Sequence, residues 1–169
     1  MDALEALNTR RSIRAFTARP VSLDIVRELI RAAMHAPSAG NEQPWHFVVI
    51  SDRRILDEIP RFHPYAEMLK EASVALLVCG DLRLEKYPDH WAQDCSAATQ
   101  NILLAAHAAG LGAVWVGLYP SKDRVARIQK LVSLPSHVVP LCLVPLGYPA
   151  EQIPRADRYQ ASRVHHNHW

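Results

Sequence analysis

The chain has 169 residues, of which 49% are hydrophobic and 21% are charged, an ordinary globular composition that excludes a disordered protein. Its net charge of +2 is too small to indicate a nucleic-acid-binding protein by itself. Three widely spaced cysteines form neither a disulfide framework nor a CxxC metal site, which indicates a reducing compartment. Since the N-terminus also lacks the apolar run of a signal peptide, we expect one cytoplasmic domain over residues 1–169.

Apolar periodicity and turn residues predict alternating helices and strands along the chain. Helices are predicted at 2–8, 22–35, 52–59, 65–72, 90–109 and 121–131. Ser22 and Ser121 stand at expected N-caps, and Gly110 stands where the long helix should end. Strands are predicted at 45–50, 74–79, 113–118 and within 138–146, with a loop at 36–44. The pattern indicates a mixed α/β chain with a few core strands and a hydrophobic central helix.

Residues 95–121 contain no Asp, Glu, Lys or Arg, and a run of this length could span a bilayer. It also contains Gln100, Asn101 and His107, and glycines divide it. A buried helix followed by a buried strand explains these features better. We therefore expect no membrane segment.

The C-terminal residues 148–169 have little periodicity, contain two prolines and end in Trp169. A structureless segment of this length on a compact domain is uncommon and is often either disordered or functional. Two interpretations stay open. One is a hydrophilic disordered tail, and the other is an extended arm that lies on a partner subunit, anchored by Tyr159, Val164 and Trp169.

The densest charge lies at Arg10, Arg11 and Arg14. If this segment is extended, Arg10, Ser12 and Arg14 share one face and span about 13 Å. That spacing suits a ligand with a phosphate at one end and a polar ring at the other, because arginine forks match phosphate oxygens. A solvated basic segment, or a patch for nucleic acid or anionic lipid, is the alternative.

A second candidate segment is the loop at 37–45, where Ser38, Asn41 and Gln43 supply donors and acceptors that can read the edge of a heterocycle. Taken alone, it is equally typical of a connecting loop. Gly110 and Gly112 do not make a Rossmann fingerprint, since they close a helix and open a strand. The nine histidines lack HExxH and CxxC…H spacings, so no metal site is predicted.

Taken together, these segments resemble the FMN-dependent nitroreductase family over nearly the whole chain. The matching motifs, in order, are RRSIRAF, APSAGNEQPWHFVVI, DCSAATQNILLAAHAAGLGAVWVG, and LGYPAE with RVHHNHW. The resemblance implies an α+β, three-layer α/β/α fold with a mixed, mainly antiparallel central sheet. It also implies a homodimer that exchanges extended C-terminal arms (148–169) and holds FMN at each of two sites in the subunit interface.

The same resemblance implies the residues that bind FMN. Arg10 and Ser12 match positions at the phosphate and ribityl end, Arg11 lies in the same motif and contributes through its backbone, and Arg14 matches a basic residue near flavin N1 and O2. The loop that reaches the flavin from the other subunit comprises Pro37, Ser38, Ala39 and Asn41. The segment whose backbone faces flavin N5 comprises Trp115, Val116 and Gly117. Arg155 and Arg158 are both candidates for a further phosphate contact.

One departure from the family concerns Val116, since some relatives carry an acidic residue there. Any donor at that position has to be main chain, which valine also supplies. A second departure is that the chain lacks insertions that cover the substrate site in longer relatives, so the motifs do not predict a particular substrate.

The resemblance implies an enzyme that takes electrons from NADH or NADPH and reduces a nitroaromatic, quinone or related small-molecule acceptor by a ping-pong mechanism. The flavin performs the redox chemistry and Arg14 would stabilise negative charge near N1, so no catalytic side chain is predicted. Two alternatives stay open. One is an FMN-binding relative with different chemistry, such as flavin fragmentation or reductive dehalogenation, and the other is a non-enzymatic module that binds phosphate or nucleic acid.

Overall fold

The computed structural model describes all residues from 1 to 169. Its five helices are α1 (Ala3–Thr9), α2 (Leu23–Met34), α3 (Arg53–Glu58), α4 (Trp91–Ala108) and α5 (Lys122–Leu131). Its strands are β1 (Trp45–Ile50), β2 (Val74–Asp81), β3 (Gly112–Ala113), β4 (Val116–Gly117) and β5 (Val138–Gly147). Single 3-10 turns lie at Ala39–Asn41, Ile59–Arg61, Glu67–Lys70, Leu82–Leu84 and Ala161–Arg163.

The five strands form one sheet in the order β1-β2-β5-β3, and β4 also pairs with β5. Every pairing within the chain is antiparallel. Successive side chains of a strand point to opposite faces, so Leu76 and Val78 pack with α2 and α4, whereas Leu77 and Cys79 pack with α3 and α5. Helices therefore cover both faces, and the predicted three-layer, mainly antiparallel α+β fold is confirmed.

The uncharged run 95–121 comprises most of the central helix α4, followed by β3 and β4. Ala98, Ile102 and Ala106 on α4 are fully buried, and the Asn101 side chain donates a hydrogen bond to the Ala32 carbonyl of α2 at 3.0 Å. Apolar residues occur all round the helix because the sheet covers one side and α2 another. None of the helices combines the length and the apolar character needed to cross a bilayer.

Several predicted element ends are confirmed, and three predictions are wrong. Ser22 caps α2 by accepting a hydrogen bond from the Ile25 amide at 3.4 Å, whereas the Ser121 side chain makes no capping bond. The predicted strand 113–118 is interrupted between β3 and β4. The predicted helix 65–72 is only a single 3-10 turn at Glu67–Lys70, and the Arg53 guanidinium donates to the carbonyls of Leu69 and Ala72 at its end.

The basic N-terminal segment follows the edge of the sheet beside β3 and the end of β5. The Ile13 amide donates to the Ala113 carbonyl at 3.0 Å, and the Thr17 amide donates to the Tyr148 carbonyl at 2.8 Å. A Cβ on Gly147 would lie 2.8 Å from the Phe16 ring, so only glycine permits this approach. The segment is thus held in an extended course, which is the condition for Arg10, Ser12 and Arg14 to share one face.

Residues 148–169 leave the sheet as an extended arm with exposed side chains and one 3-10 turn. Arg19 stacks on the Tyr148 ring at 3.8 Å near its start. Further along, Tyr159 is 74% exposed and Trp169 is 101% exposed, with the His165 ring stacked on Trp169. Apart from the His165 ring on Trp169, no contact covers these aromatic residues in the single chain, and the position of the arm on a partner subunit stays a prediction.

Candidate functional site

A basic cavity lies between the end of α1 and the start of the arm, with a volume of about 440 Å³. Its charged lining residues are Arg10, Arg11, Asp157, Arg155 and Arg158. Burial, followed by repulsion from Arg158 and Arg11, lowers the pKa of the Arg10 guanidinium. The lining has four guanidinium groups and one carboxylate, so positive charge is in excess. Guanidinium groups are also the hydrogen-bond donors that suit a phosphate group. Both predicted C-terminal arginines lie in this cavity.

Arg11 differs from its neighbours because its guanidinium is already satisfied by backbone carbonyls. Its Nε donates to the Pro154 carbonyl at 3.0 Å, and Nη2 donates to the Ala156 carbonyl at 3.4 Å. Its Nη1 donates to the carbonyls of Asn8 and Arg10 at 3.2 and 2.7 Å. Arg11 therefore fastens the start of the arm to the end of α1, and only its backbone remains for a ligand.

The other two residues of the predicted face, Ser12 and Arg14, follow directly on the cavity. Ser12 is half-buried and Arg14 is exposed. Glu151 fixes the backbone here, because its Oε1 accepts hydrogen bonds from the amides of Arg14 and Ala15. The Arg14 guanidinium makes no hydrogen bond or ion pair within the chain, so its donors are available to a ligand.

The loop at 37–43 has a built conformation that differs from that of an ordinary connection. Gly40, Asn41 and Gln43 all have positive φ, at 51°, 54° and 49°, which costs a non-glycine residue about 1–2 kcal/mol. The Ser38 hydroxyl accepts from the Gln43 amide at 3.1 Å, and the Gln43 side chain donates to Asn41 Oδ1 at 3.0 Å. A Cβ on Gly40 would lie 2.4 Å from the Tyr87 ring. The predicted loop residues are thus held in one shape.

Two buried carboxyl groups anchor this loop. Asp94 Oδ1 accepts from the Ala39 amide at 3.0 Å, and Glu42 Oε2 accepts from the amides of Lys86 and Tyr87 at 2.6 and 3.2 Å. Burial raises the pKa of Asp94. Burial also acts to raise the pKa of Glu42, but the two amide hydrogen bonds, with one from Asp94, outweigh it and leave that pKa lowered.

The predicted segment 115–117 runs from an exposed side chain to a buried one. Trp115 is 37% exposed and Val116 is buried, with β4 paired to β5. Beneath Gly117 lies His63, which is 1% exposed, with its Nε2 2.8 Å from the Gly117 carbonyl and its Nδ1 3.3 Å from the Tyr65 amide. These two contacts require the neutral imidazole with its proton on Nε2. His63 therefore fixes the backbone of this segment.

We expect the contribution of His63 to stability to disappear in acid. Burial lowers the pKa of His63, so the folded state binds a proton less readily than the unfolded state, whose imidazole titrates near about 6.5. The contribution is therefore complete above that value and is lost as the pH falls. The measurement is urea unfolding of the wild type and His63→Gln from pH 8 to pH 5.5. The wild type should lose more unfolding free energy than the variant, and equal slopes would contradict the assignment.

The structure brings some of the predicted residues together but not all of them. Arg10, Arg155 and Arg158 share the basic cavity. The segment that follows Arg10 in the chain is hydrogen-bonded to Ala113, which is close to residues 115–117 in the sequence. The loop at 37–43 is anchored instead to Lys86, Tyr87 and Asp94, and no hydrogen bond joins it to the arginine segment within one chain. One chain therefore presents two separate groups of predicted site residues.

Sequence reasoning missed the four side chains that position these segments, which are Glu42, His63, Asp94 and Glu151. Asp94 gave a weak signal as the carboxylate directly before the uncharged run, whereas the hydrogen-bond partners of Glu42, His63 and Glu151 depend on the fold.

The metal-ligating residue types and the cysteines are arranged differently from the site residues. No three His, Cys, Asp or Glu residues are placed to hold a metal ion. Burial raises the pKa of Cys79 and of Cys142 to about 12.

Comparisons with known proteins show the family of the chain. The Nitroreductase family model matches residues 7–62 and 61–148. A protein of Methanothermobacter thermautotrophicus with the provisional name NADH dehydrogenase/NAD(P)H nitroreductase is 52% identical over 100% of this chain and 88% of its own length. A crystal structure from Parabacteroides distasonis with the same provisional name has a TM-score of 0.95 and 43% identity, covering 98% of both chains. A provisional nitroreductase from Desulfovibrio desulfuricans, solved in complex with FMN, has a TM-score of 0.86 and 31% identity, covering 100% of this chain and 99% of its own. With its fold, its motifs and these relatives in agreement, the chain belongs to the nitroreductase family.

Proposed function

We propose that the protein is an FMN-dependent oxidoreductase that uses NADH or NADPH to reduce nitroaromatic, quinone or related acceptors. The observation that carries the proposal is the cavity lined by Arg10, Arg155 and Arg158, after which the chain runs on through Ser12 and Arg14. The FMN complex of a relative that aligns along the whole chain supports the cofactor. The name of the 52% identical relative supports the nicotinamide donor and the nitro acceptor.

The residues of this chain fit FMN at both of its ends. Arg10, together with Arg155 or Arg158, would hold the phosphate, because the cavity has more guanidinium groups than its one carboxylate can neutralise. Ser12 would bind the ribityl chain. The unpaired Arg14 guanidinium would stabilise the negative charge that reduction places on the pyrimidine side of the ring. FMN, when bound, supplies the hydride chemistry, so the protein needs only to bind, orient and stabilise.

The proposed assembly is a homodimer of single-domain subunits in which each FMN lies at the interface. Each subunit would offer the arginine segment and the backbone of residues 115–117 to one FMN. It would offer its loop to the other FMN through Pro37, Ser38, Ala39 and Asn41. This division explains why the two groups are anchored to different elements of one chain. The exposed aromatic residues of the arm and the exposed Leu4 and Leu7 of α1 are apolar surface of the kind that dimer interfaces bury.

Purified protein provides the first test of the proposal. The expected preparation is yellow and has flavin absorbance, and apo-protein titrated with FMN should give saturable binding. A colourless preparation that does not bind FMN at high micromolar concentration would reject the flavoenzyme and favour the module that binds phosphate or nucleic acid. Bound FMN without NAD(P)H oxidation, whatever the acceptor, would favour flavin fragmentation or dehalogenation.

Steady-state kinetics test the reaction order. The chain has no second nucleotide-binding fingerprint, so the nicotinamide donor and the acceptor are expected to occupy one open face in turn. Initial rates at varied donor and acceptor concentrations should therefore give parallel double-reciprocal lines, as in a ping-pong mechanism. Each substrate should also inhibit competitively against the other at high concentration. Intersecting lines would show that both substrates bind together and would reject the shared face.

A further inference from the structure

We propose that Asp94 is a positioning residue that shares one proton with Glu42, and that this buried acid pair holds the loop at 38–43 in the conformation that meets the flavin. The part of the proposal that concerns the flavin rests on the proposed function. The part that concerns the shared proton and the loop rests on the geometry of the chain alone.

The two carboxyl groups have four oxygens, and three backbone amides bind two of these oxygens. Asp94 Oδ1 accepts from the Ala39 amide, and Glu42 Oε2 accepts from the amides of Lys86 and Tyr87. The remaining oxygens, Asp94 Oδ2 and Glu42 Oε1, are buried and have no other partner. Ala39 brings the two residues together, because its amide donates to Asp94 and its carbonyl accepts from the Glu42 amide at 3.0 Å. Each carboxyl group also shifts the pKa of the other. A proton between these two oxygens satisfies both of them.

The distribution of charge places that proton on Asp94. Two adjacent buried carboxylates cannot both ionise without a large electrostatic cost. Glu42 receives two amide hydrogen bonds and Asp94 receives one, so the negative charge is more stable on Glu42. The charged and titratable groups around the pair are Glu85, Lys86 and His90. Lys86 directs its ammonium to the Gly40 carbonyl at 3.0 Å and not to the pair. Glu85 accepts from the Trp91 amide at 3.3 Å and supplies no positive charge. His90 lowers the pKa of both carboxyl groups by Coulombic attraction, so it does not decide between them.

The loop needs such an anchor because its backbone is costly. Asn41 and Gln43 are non-glycine residues with positive φ, and this conformation persists only where surrounding contacts impose it. The pair supplies one contact before the strained residues, through Ala39, and another between them, through the side chain of Glu42. Release of the pair would therefore relax Pro37, Ser38, Ala39 and Asn41, which are the residues proposed to reach the flavin.

The experiment compares Asp94→Asn, Asp94→Leu, Glu42→Gln and the double variant Glu42→Gln/Asp94→Asn. An amide at position 94 can donate to Glu42 and accept from Ala39, so Asp94→Asn should keep the loop in place. Asp94→Leu removes both bonds, and exchange of the Ala39, Lys86 and Tyr87 amides should accelerate at least tenfold.

Glu42→Gln alone should be tolerated, since its amide can donate to an ionised Asp94. The double variant places two donor groups face to face and should be much less stable than the two single changes predict.

A pH profile separates the shared proton from a merely structural role. The folded-state pKa of Asp94 is raised above its unfolded value near about 3.9, so its contribution is complete in acid and is lost as the pH rises. The unfolding free energy of the wild type should therefore fall relative to Asp94→Asn as the pH rises above about 4. A rise instead, or additive behaviour of the double variant, would mean that Asp94 is ionised and would overturn the proposal.

Flavin readouts distinguish failure of this inference from failure of the proposed function. With FMN bound, Asp94→Leu should raise the dissociation constant at least tenfold and shift the reduction potential, whereas Asp94→Asn should change neither. The exposed carboxylate change Asp123→Asn is the matched control, with wild-type exchange and wild-type FMN affinity. If no variant binds FMN and neither does the wild type, the proposed function fails while amide exchange still tests the pair. FMN affinity unchanged in Asp94→Leu, with fast loop exchange, would contradict the link to the flavin.

Discussion

Arg10→Ala is expected to weaken FMN binding roughly 10–100-fold, the loss that follows from removal of one charge-assisted hydrogen bond. Riboflavin binding should remain nearly unchanged, because riboflavin has no phosphate to meet the basic cavity. Arg10 is partly desolvated beside Arg11 and Arg158, so a phosphate relieves the mutual repulsion of these groups as well as pairing with them. The measurement is a titration of apo-protein with FMN and with riboflavin, followed by flavin fluorescence.

The matched control is Arg27→Ala, which removes an exposed arginine of α2 whose ion pair with Asp24 lies far from the cavity residues in the sequence. This variant should bind both flavins as the wild type does. If Arg10→Ala weakened FMN and riboflavin equally, Arg10 would act on the ring or on the fold and not on the phosphate. If it weakened the binding of neither flavin, the cavity would not be the phosphate site. The proposed phosphate contacts of Arg155 and Arg158 would then be rejected as well.

Deletion of residues 160–169 is expected to weaken the proposed dimer at least about 30-fold, the loss typical of a central aromatic contact, and to lower FMN content with it. These residues hydrogen-bond only among themselves within one chain, and Trp169 is fully exposed there. The deletion keeps Glu151, Arg155 and Arg158, so the arginine segment and the cavity lining remain. Sedimentation velocity over a range of protein concentrations, with the flavin absorbance of each species, measures both effects.

The folded subunit itself should survive this deletion. Both buried clusters consist of residues that precede the arm, so circular dichroism of the truncated protein should retain the wild-type helix content. A truncated protein that remained a flavin-loaded dimer at nanomolar concentration would contradict an exchanged arm. The point change Trp169→Ala then shows how much of the loss belongs to the terminal aromatic ring.

Predictions from the sequence were most accurate where local pattern and burial agree. Trp45–Ile50 was predicted residue for residue, and the start of α2 after Ser22 follows from a cap and an apolar spacing. The predictions failed where contacts between distant parts of the chain shape the backbone. Arg53 binds the carbonyls of Leu69 and Ala72 at the end of the 3-10 turn that replaces the predicted helix 65–72. β3 and β4 are separated where the chain leaves the pairing with β5. Such partners are far apart in sequence and leave no periodic signal.

The sequence by itself determined the α+β class, most elements, the basic segment, the polar loop and the family resemblance, because these depend on neighbouring residues and on the order of motifs. Only the tertiary structure decided what each side chain does. It joined Arg155 and Arg158 to Arg10, turned Arg11 toward the carbonyls of the arm and placed His63 under Gly117. It also anchored Asp94 to the Ala39 amide and Glu42 to the Lys86 amide. The physical reason is that the charge state and hydrogen bonds of a buried polar group depend on the groups that folding brings around it. Those groups come from distant parts of the chain.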